Sequence, residues 1–389
     1  MSIYLDNSAT TKICPEALEK YIEVSNSEFG NPSSLHAMGV NAEKILDSAR
    51  REILNSVRDT QSRVVFTASG SEANNLAIMG RALSKERYRK GAKIITTDSE
   101  HASVSSPLSK LREMGFTIVN ISTRGGIIDL EELKKELTEN VILVTVMMVN
   151  NETGALYDVA TVGKLMREQC PDAYLHVDAT QSYLKVPFTK KSTGADMITV
   201  SSHKIEGPKG IGALIIDPSV IKSRGLSPVI MGGGQELGLR SGTENVPAAA
   251  AFGEAVRIGF RDADEHFNKT SSLRGYLIEK ISTMPALADI SVTNPENHAP
   301  HILNITLPKI KSETMLHYLS ASGIFVSSGS ACSSNSAHKS SALVAYGRTA
   351  DEADCSLRIS FSHRNEPSDV DALCDALASG ISRLARIRR

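Results

Sequence analysis

The stretch ADMITVSSHKIEGPKGIGALIID, residues 195–217, sets one lysine between two apolar runs. ADMITVSS (195–202) and GIGALIID (210–217) read as strands. Lys204 stands at the mouth of the first, flanked by Ser hydroxyls and a Gly-Pro-Lys-Gly loop. Lysine is costly to bury. One that is buried anyway is often kept for its amine rather than its charge. The plainer alternative is a surface lysine at a strand end, and the surrounding sequence has to choose.

Five more apolar runs lead up to it: VVFTAS (64–69), AKIITTD (92–98), FTIVNIS (116–122), VILVTVMMV (141–149) and AYLHVDA (173–179). Helical stretches lie between them: one from about Ser71, then SVSSPLSKLREMG, DLEELKKEL and VATVGKLMREQC. Strand–helix alternation with continuously apolar strands predicts an α/β fold with a parallel sheet covered on both faces. In such sheets ligands sit at the carboxyl ends of the strands. After about residue 245 the character changes. An Ala-rich helical connector, VPAAAAFGEAVRIGF, runs on toward SSLRGYLIEKI. ISVTN, HILNITL, ETMLHYLSASG and LRISF follow, then a terminal helix at PSDVDALCDAL. Ser368 is its expected cap, with Asp371 in the box position. This part reads as a second, smaller α+β domain.

Composition narrows the function. The 389 residues are 41% hydrophobic and 22% charged, with a net charge of −1. A nucleic-acid binder should carry a basic field instead. VILVTVMMV is too short to span a bilayer. The opening MSIYLDNSATT reads as strand and turn, not as a signal peptide. The five cysteines contain no CxxC pair, which suits a reducing cytoplasm. The HAPH stretch (298–301) lacks the spacing of a metal site, so no metal is expected.

Three features then converge on one sheet edge. TASGSEANN (67–75) ends a strand and opens a helix, and a helix N-terminus invites an anion. An ordinary βα turn is the alternative; neither GxxxxGK[ST] nor GxGxxG is present. In HVDATQ (176–181), Asp178 ends a strand, either as a partner for a protonated ring nitrogen or as a helix cap. Lys204 is the third. A phosphate site, a carboxylate for a ring nitrogen and a lysine for an aldehyde are the handles of pyridoxal 5′-phosphate (PLP). His101 ends another strand and can stack on a flat ligand or cap the next helix. Arg358 alternates with Leu357, Ile359 and Phe361, so it faces away from their core. It can clamp a carboxylate or lie solvated. Cys332 sits in the Ser-rich stretch SSGSACSSNSAHKSS (327–341), an exposed loop by composition. Cys374 lies on an apolar helical face and reads as packing. Cys14, Cys170 and Cys355 are assigned no role.

The motifs YLDNSATT (4–11), GNPSSLH (30–36), FTASGSEANNLAI (66–78), EH (100–101), VNNETG (149–154), HVDATQ, SSHKIEGPKG (201–210), GGGQELGLRSGT (232–243), SSGSAC (327–332) and LRIS (357–360) stand in a familiar order. The chain resembles the NifS/IscS-type cysteine desulfurases, of the class V aminotransferase group with PLP fold type I, over essentially its whole length. That resemblance implies a large PLP-binding α/β domain over residues 14–260, with a mainly parallel seven-stranded sheet. A small α+β domain would comprise 1–13 and 261–389. It implies conversion of L-cysteine to L-alanine, a homodimer, and a persulfide on Cys332 handed to a sulfur-acceptor protein. By position, Lys204 resembles the Schiff-base lysine. His101 resembles the ring-stacking, proton-handling histidine. Asp178 resembles the partner of the pyridine nitrogen, and Gln181 the contact to the ring hydroxyl. Gly70, Ser71, Ser201 and His203 resemble the phosphate cradle, and Thr243 the residue reaching the phosphate from the other subunit. Asn151 and Arg358 resemble the substrate-carboxylate contacts. Departures are Ser71 for a frequent Thr, SSHKI for SGHKF or SGHKL, and NSAHKSSALVAYG after the cysteine. The chain also stops soon after its last helix, whereas some relatives carry a longer scaffold-docking tail. A selenocysteine lyase or another PLP enzyme on this fold is the alternative. A non-catalytic sulfur relay would need none of Lys204, Asp178 and His101.

Overall fold

The computed structural model describes residues 2–84, 91–328 and 340–386. Its centre is a seven-stranded sheet. The strand order is Arg63–Thr67, Gly212–Ile216, Met197–Ser201, Tyr174–Asp178, Val141–Met147, Lys93–Thr97, Thr117–Ile121. These are the seven apolar runs of the sequence. Only Gly212–Ile216 runs against its neighbours, antiparallel to both. The reason is the short connection. Ten residues, 202–211, separate it from Met197–Ser201, and a parallel return needs about a dozen or more. The chain therefore doubles back, and Lys204 falls inside the turn.

Val141–Met147 is buried at all seven positions, because both sheet faces are covered. Val144 and Val146 pack into the layer that holds Ala17, Leu46 and Phe252, from the helices Pro15–Ser27, Ala37–Ser56 and Val246–Arg261. Leu143 and Ile94 pack into the opposite layer with Leu76, Ile78 and Leu108, from Gly70–Ala82 and Ala102–Glu113. A second, antiparallel sheet has the order Ser327–Ser328, Ser356–Ser360, Ile302–Thr306, Ser291–Thr293. Its core joins Leu357, Ile359 and Phe361 to Leu277 and Leu373 of the helices Ala263–Thr283 and Pro367–Arg386. Cys374 is fully buried there, as packing. Leu5, just after the short strand Ile3–Tyr4, belongs to the same core.

Three local expectations change. The helix expected from Ser71 begins at Gly70, and Ser69 is its cap, accepting from the Glu72 N–H at 3.1 Å. The Ala-rich helix does not run on unbroken; it ends at Arg261, and a new one starts at Ala263. Ser368 does not cap the terminal helix, which already starts at Pro367. Proline's fixed φ suits a first helical position. Asp369 supplies the reach-back contact, accepting from the Glu366 N–H at 3.1 Å. Asp371 instead accepts from the Tyr276 hydroxyl and pairs with Lys280, both at 2.7 Å.

Candidate active site

The carboxyl ends of the parallel strands and the turns after them open into one cleft of about 320 Å³. Gly70 and Ser71 follow Arg63–Thr67, and His101 follows Lys93–Thr97. Asn151 follows Val141–Met147, and Gln181 follows Tyr174–Asp178. Ser201 ends its strand, with His203 and Lys204 just beyond. All of these, with Asp178 and Arg358, line the cleft. The sheet rule alone puts all but Arg358 there; Arg358 enters from Ser356–Ser360 of the antiparallel sheet. Thr243 does not join them; it lies in a separate hollow with Arg240 and Gly210. Cys332 lies outside the described residues.

The Lys204 amine donates to the carbonyls of Ser8 and Ala9, at 2.5 and 2.8 Å. It is thus held over the cleft by the chain's own amino-terminal segment. Asp178 is buried, and its carboxylate accepts from Asn74 Nδ2 at 2.8 Å and from the Thr180 N–H at 2.9 Å. Among the described residues no basic side chain pairs with it. Behind it, His176 is fixed between Thr145 and Thr199, and burial pushes its pKa down to about 4. A buried carboxylate supported only by neutral donors is a receptor for a cationic N–H.

Asn74 and Ser103 were not legible in the sequence. Asn74 Nδ2 also donates to Ser103 Oγ at 2.8 Å, and Ser103 Oγ lies 2.8 Å from His101 Nδ1. The Ser103 N–H donates to the same nitrogen at 3.1 Å. Nδ1 is therefore an acceptor, and the neutral ring carries its proton on Nε2. Burial holds the His101 pKa below the ordinary histidine value, against the pull of Asp178. His101 caps its helix and also lines the cleft.

Three features test the fit to PLP. Ser201 Oγ and Gln181 Oε1 are buried without a hydrogen-bond partner, although Gln181 Nε2 donates to Ser8 O at 2.9 Å. Buried polar atoms need partners. Gly70 opens a helix N-terminus where a Cβ would come within 3.1 Å of Ser201 Cβ and 3.3 Å of Thr180 Oγ1. A Cβ there would narrow the space around that hydroxyl. A phosphate acceptor group, a ring hydroxyl and a pyridinium match Ser201, Gln181 and Asp178 in turn. His203 stays neutral beside this cradle, because burial and the charge of Lys204 push its pKa down to about 4.

Arg358 is only 5% exposed, so the solvated alternative does not hold. Its guanidinium donates to Asn151 O and to Asp6 Oδ1, each at 2.9 Å, and its Nε is buried without a partner. Glu100 is a further buried carboxyl that the sequence did not mark. Its Oε1 accepts from Thr97 Oγ1 and the Met147 N–H, while Oε2 has no partner. Burial pushes its pKa up to about 8. A raised carboxyl pKa favours folding below the unfolded value of 4.5 and loses that contribution as pH rises through about 8. Glu100→Gln, an isostere of the protonated acid, should therefore gain thermal stability over wild type as pH rises from 6 to 9. Melting curves at both pH values measure it, and an equal difference at each would contradict the shift.

The aminotransferase class-V family model matches residues 3–373. Cysteine desulfurase IscS 1 of Archaeoglobus fulgidus is 35% identical over 384 residues, covering 98% of this chain and 97% of its own. A solved NifS-like protein superposes with a TM-score of 0.90 at 30% identity, covering 98% of this chain and all of its own. SspA, solved in complex with cysteine, superposes with a TM-score of 0.79 at 31% identity, covering 92% of this chain and 99% of its own.

Proposed function

Because this chain belongs to the aminotransferase class-V family, we propose that its cleft holds PLP on Lys204 and converts L-cysteine to L-alanine, leaving sulfur on Cys332. It is a cysteine desulfurase, the activity named for relatives aligned with nearly its whole length. The observation that carries the cofactor assignment is the set of cleft groups left waiting for a ligand: buried Asp178 with neutral donors only, and the partnerless Ser201 Oγ and Gln181 Oε1.

When bound, PLP supplies an electron sink for the pair left by a broken Cα–H bond. The protein does the rest. Arg358 and Asn151 bind the substrate carboxylate and turn that bond toward the cofactor plane; orientation of this kind supplies several kcal/mol. Lys204 Nζ takes the Cα proton. Asp178 holds a proton on the ring nitrogen, and His101 Nε2 lends a proton to the reacting atoms. The Cys332 thiolate attacks the substrate sulfur. A sulfur–sulfur bond forms, the Cβ–S bond breaks with its electron pair left on Cβ, Cβ takes a proton, and Lys204 Nζ returns a proton to Cα to give alanine. The persulfide then serves a sulfur-acceptor protein, in iron–sulfur cluster assembly, tRNA thiolation or another sulfur pathway. Incubating the purified chain with L-cysteine and a thiol reductant tests this. Alanine and sulfide should appear one for one, and no turnover of the PLP-loaded chain would refute it.

A second copy of the chain completes the reading. Leu35, Met231 and Phe29 are 98%, 80% and 71% exposed, large apolar side chains that a partner subunit would cover. Thr243, turned away from its own cleft, would then serve the neighbour's phosphate site. A cytoplasmic setting fits the cysteines, since Cys14, Cys170 and Cys374 are free thiols. No described helix is long and apolar enough to cross a membrane.

Arg358→Lys keeps the charge but loses the two-pronged guanidinium. A hydrogen bond to a charged group contributes about 1.5–3 kcal/mol. The expected result is a KM for L-cysteine raised roughly 10- to 100-fold, with a smaller change in kcat. Steady-state kinetics on the folded variant measure it, and an unchanged KM removes Arg358 from the carboxylate site.

A further inference from the structure

Lys204 is a wall between two spaces. One is the cleft; the other is a cavity of about 360 Å³ behind it, bounded by the two sheet units. Two basic side chains of this second cavity have no assigned task. His301 is 2% exposed, and its ring, which leans on the Gln181 main chain, has no side-chain hydrogen-bond partner among the described residues. The Lys185 amine is also buried without a partner. Two other basic groups of the lining are already matched. Arg261 pairs with Asp262, and Arg364 with Glu206, each within 2.6 Å. Unsatisfied buried donors are costly, and a lone buried ammonium most of all. Ala255, Ile258 and Phe267 form the apolar part of the wall.

We propose that this cavity is a second ligand site, for a short-chain organic carboxylate whose anionic head meets Lys185 and His301 and whose tail lies on the apolar wall. Its volume is at the small end of ligand pockets. A zwitterionic amino acid fits less well, because its ammonium finds no unpaired carboxylate at the buried end. Inorganic phosphate fits less well, because its oxygens would meet Ala255 and Phe267. Burial and the charge of Lys204 push the Lys185 pKa down to about 7, against the weaker pull of Glu206. A bound carboxylate restores the full charge beside the back of Lys204, so occupancy is felt at the reacting amine.

The test is calorimetric titration of the PLP-loaded protein with sodium butyrate and, separately, sodium phosphate, at fixed ionic strength in chloride buffer. Butyrate should bind once per chain, at least tenfold more weakly to Lys185→Met, while phosphate gives no binding. Melting curves establish that this variant is folded. His301→Asn is the second variant, with a several-fold loss expected. Butyrate binding that is absent from wild type, or undiminished in both variants, overturns the site. Binding that Arg358→Gln abolishes and Lys185→Met leaves intact places butyrate in the substrate cleft and overturns it equally. Phosphate binding that depends on Lys185, without butyrate binding, overturns the carboxylate assignment. None of these readouts needs cysteine turnover.

Discussion

Lys204→Ala should form alanine from L-cysteine at least ~10³-fold more slowly than wild type, while remaining folded and able to take up cofactor without a covalent bond. Two proposed roles meet at this one nitrogen, covalent holding and proton transfer. Proton transfer by a positioned side chain alone contributes roughly 10²–10⁴-fold, and the covalent role adds to it. Among the described residues the cleft has no second amine to substitute. Lys185 lies in the cavity behind and does not line the cleft. Cofactor uptake should persist because Ser201, Gln181 and Asp178 reach the cleft independently of Lys204. Hydride reduction of the wild-type holoenzyme, followed by peptide mapping, should place the fixed label on residue 204. The variant should take up none. A label on another residue, or a variant that keeps a tenth of the wild-type rate, ends the assignment.

The strands were legible because their burial on both faces writes itself as unbroken apolar runs; Val141–Met147, buried throughout, is the clearest. Once those runs are strands of one sheet, the sheet rule gathers Gly70, His101, Asp178 and Lys204 without any further information. What the sequence could not supply is contact across elements. Asn74 acts on Asp178 from one helix and on Ser103 from another, joining a link that ends on His101. No spacing along the chain encodes that. The alternation around Arg358 gave its direction correctly but not its surroundings. Asp6 and Asn151, at least 200 positions away in the chain, decide that it is buried rather than solvated. The terminal-helix cap failed for a local reason, since Pro367 starts the helix before Ser368 can cap it. Lys185 and His301 are invisible to motif reading because their peculiarity is a missing partner, which only packing reveals.

Cys332→Ala should retain the bound cofactor and its absorption but release less than ~1% of the wild-type sulfide. Cys332 itself is outside the described residues, yet both flanks are placed. Ser327 is the strand partner of Arg358. On the other side, the Ser340 hydroxyl donates to the carboxylate of Glu152, next to Asn151. Both ends of the segment that carries Cys332 are thus anchored at the two residues proposed to hold the substrate carboxylate. Four residues beyond Ser328 can extend at most ~14 Å, the reach on which the proposed attack depends. The other thiols are poor substitutes. Cys14, Cys170 and Cys374 are buried, and burial raises the pKa of each, to about 11 for Cys374. That direction disfavours the nucleophilic thiolate. Cys355 is half-buried and is the one credible rival, so the experiment must locate the sulfur as well as count it. Wild type loaded with ³⁵S-cysteine and digested without reductant should carry one label, on the peptide containing residue 332. Cys355→Ala should label normally. If the label maps to Cys355, or if Cys332→Ala still accumulates one sulfur per chain, then the acceptor is elsewhere and the geometry around Arg358 serves substrate binding alone.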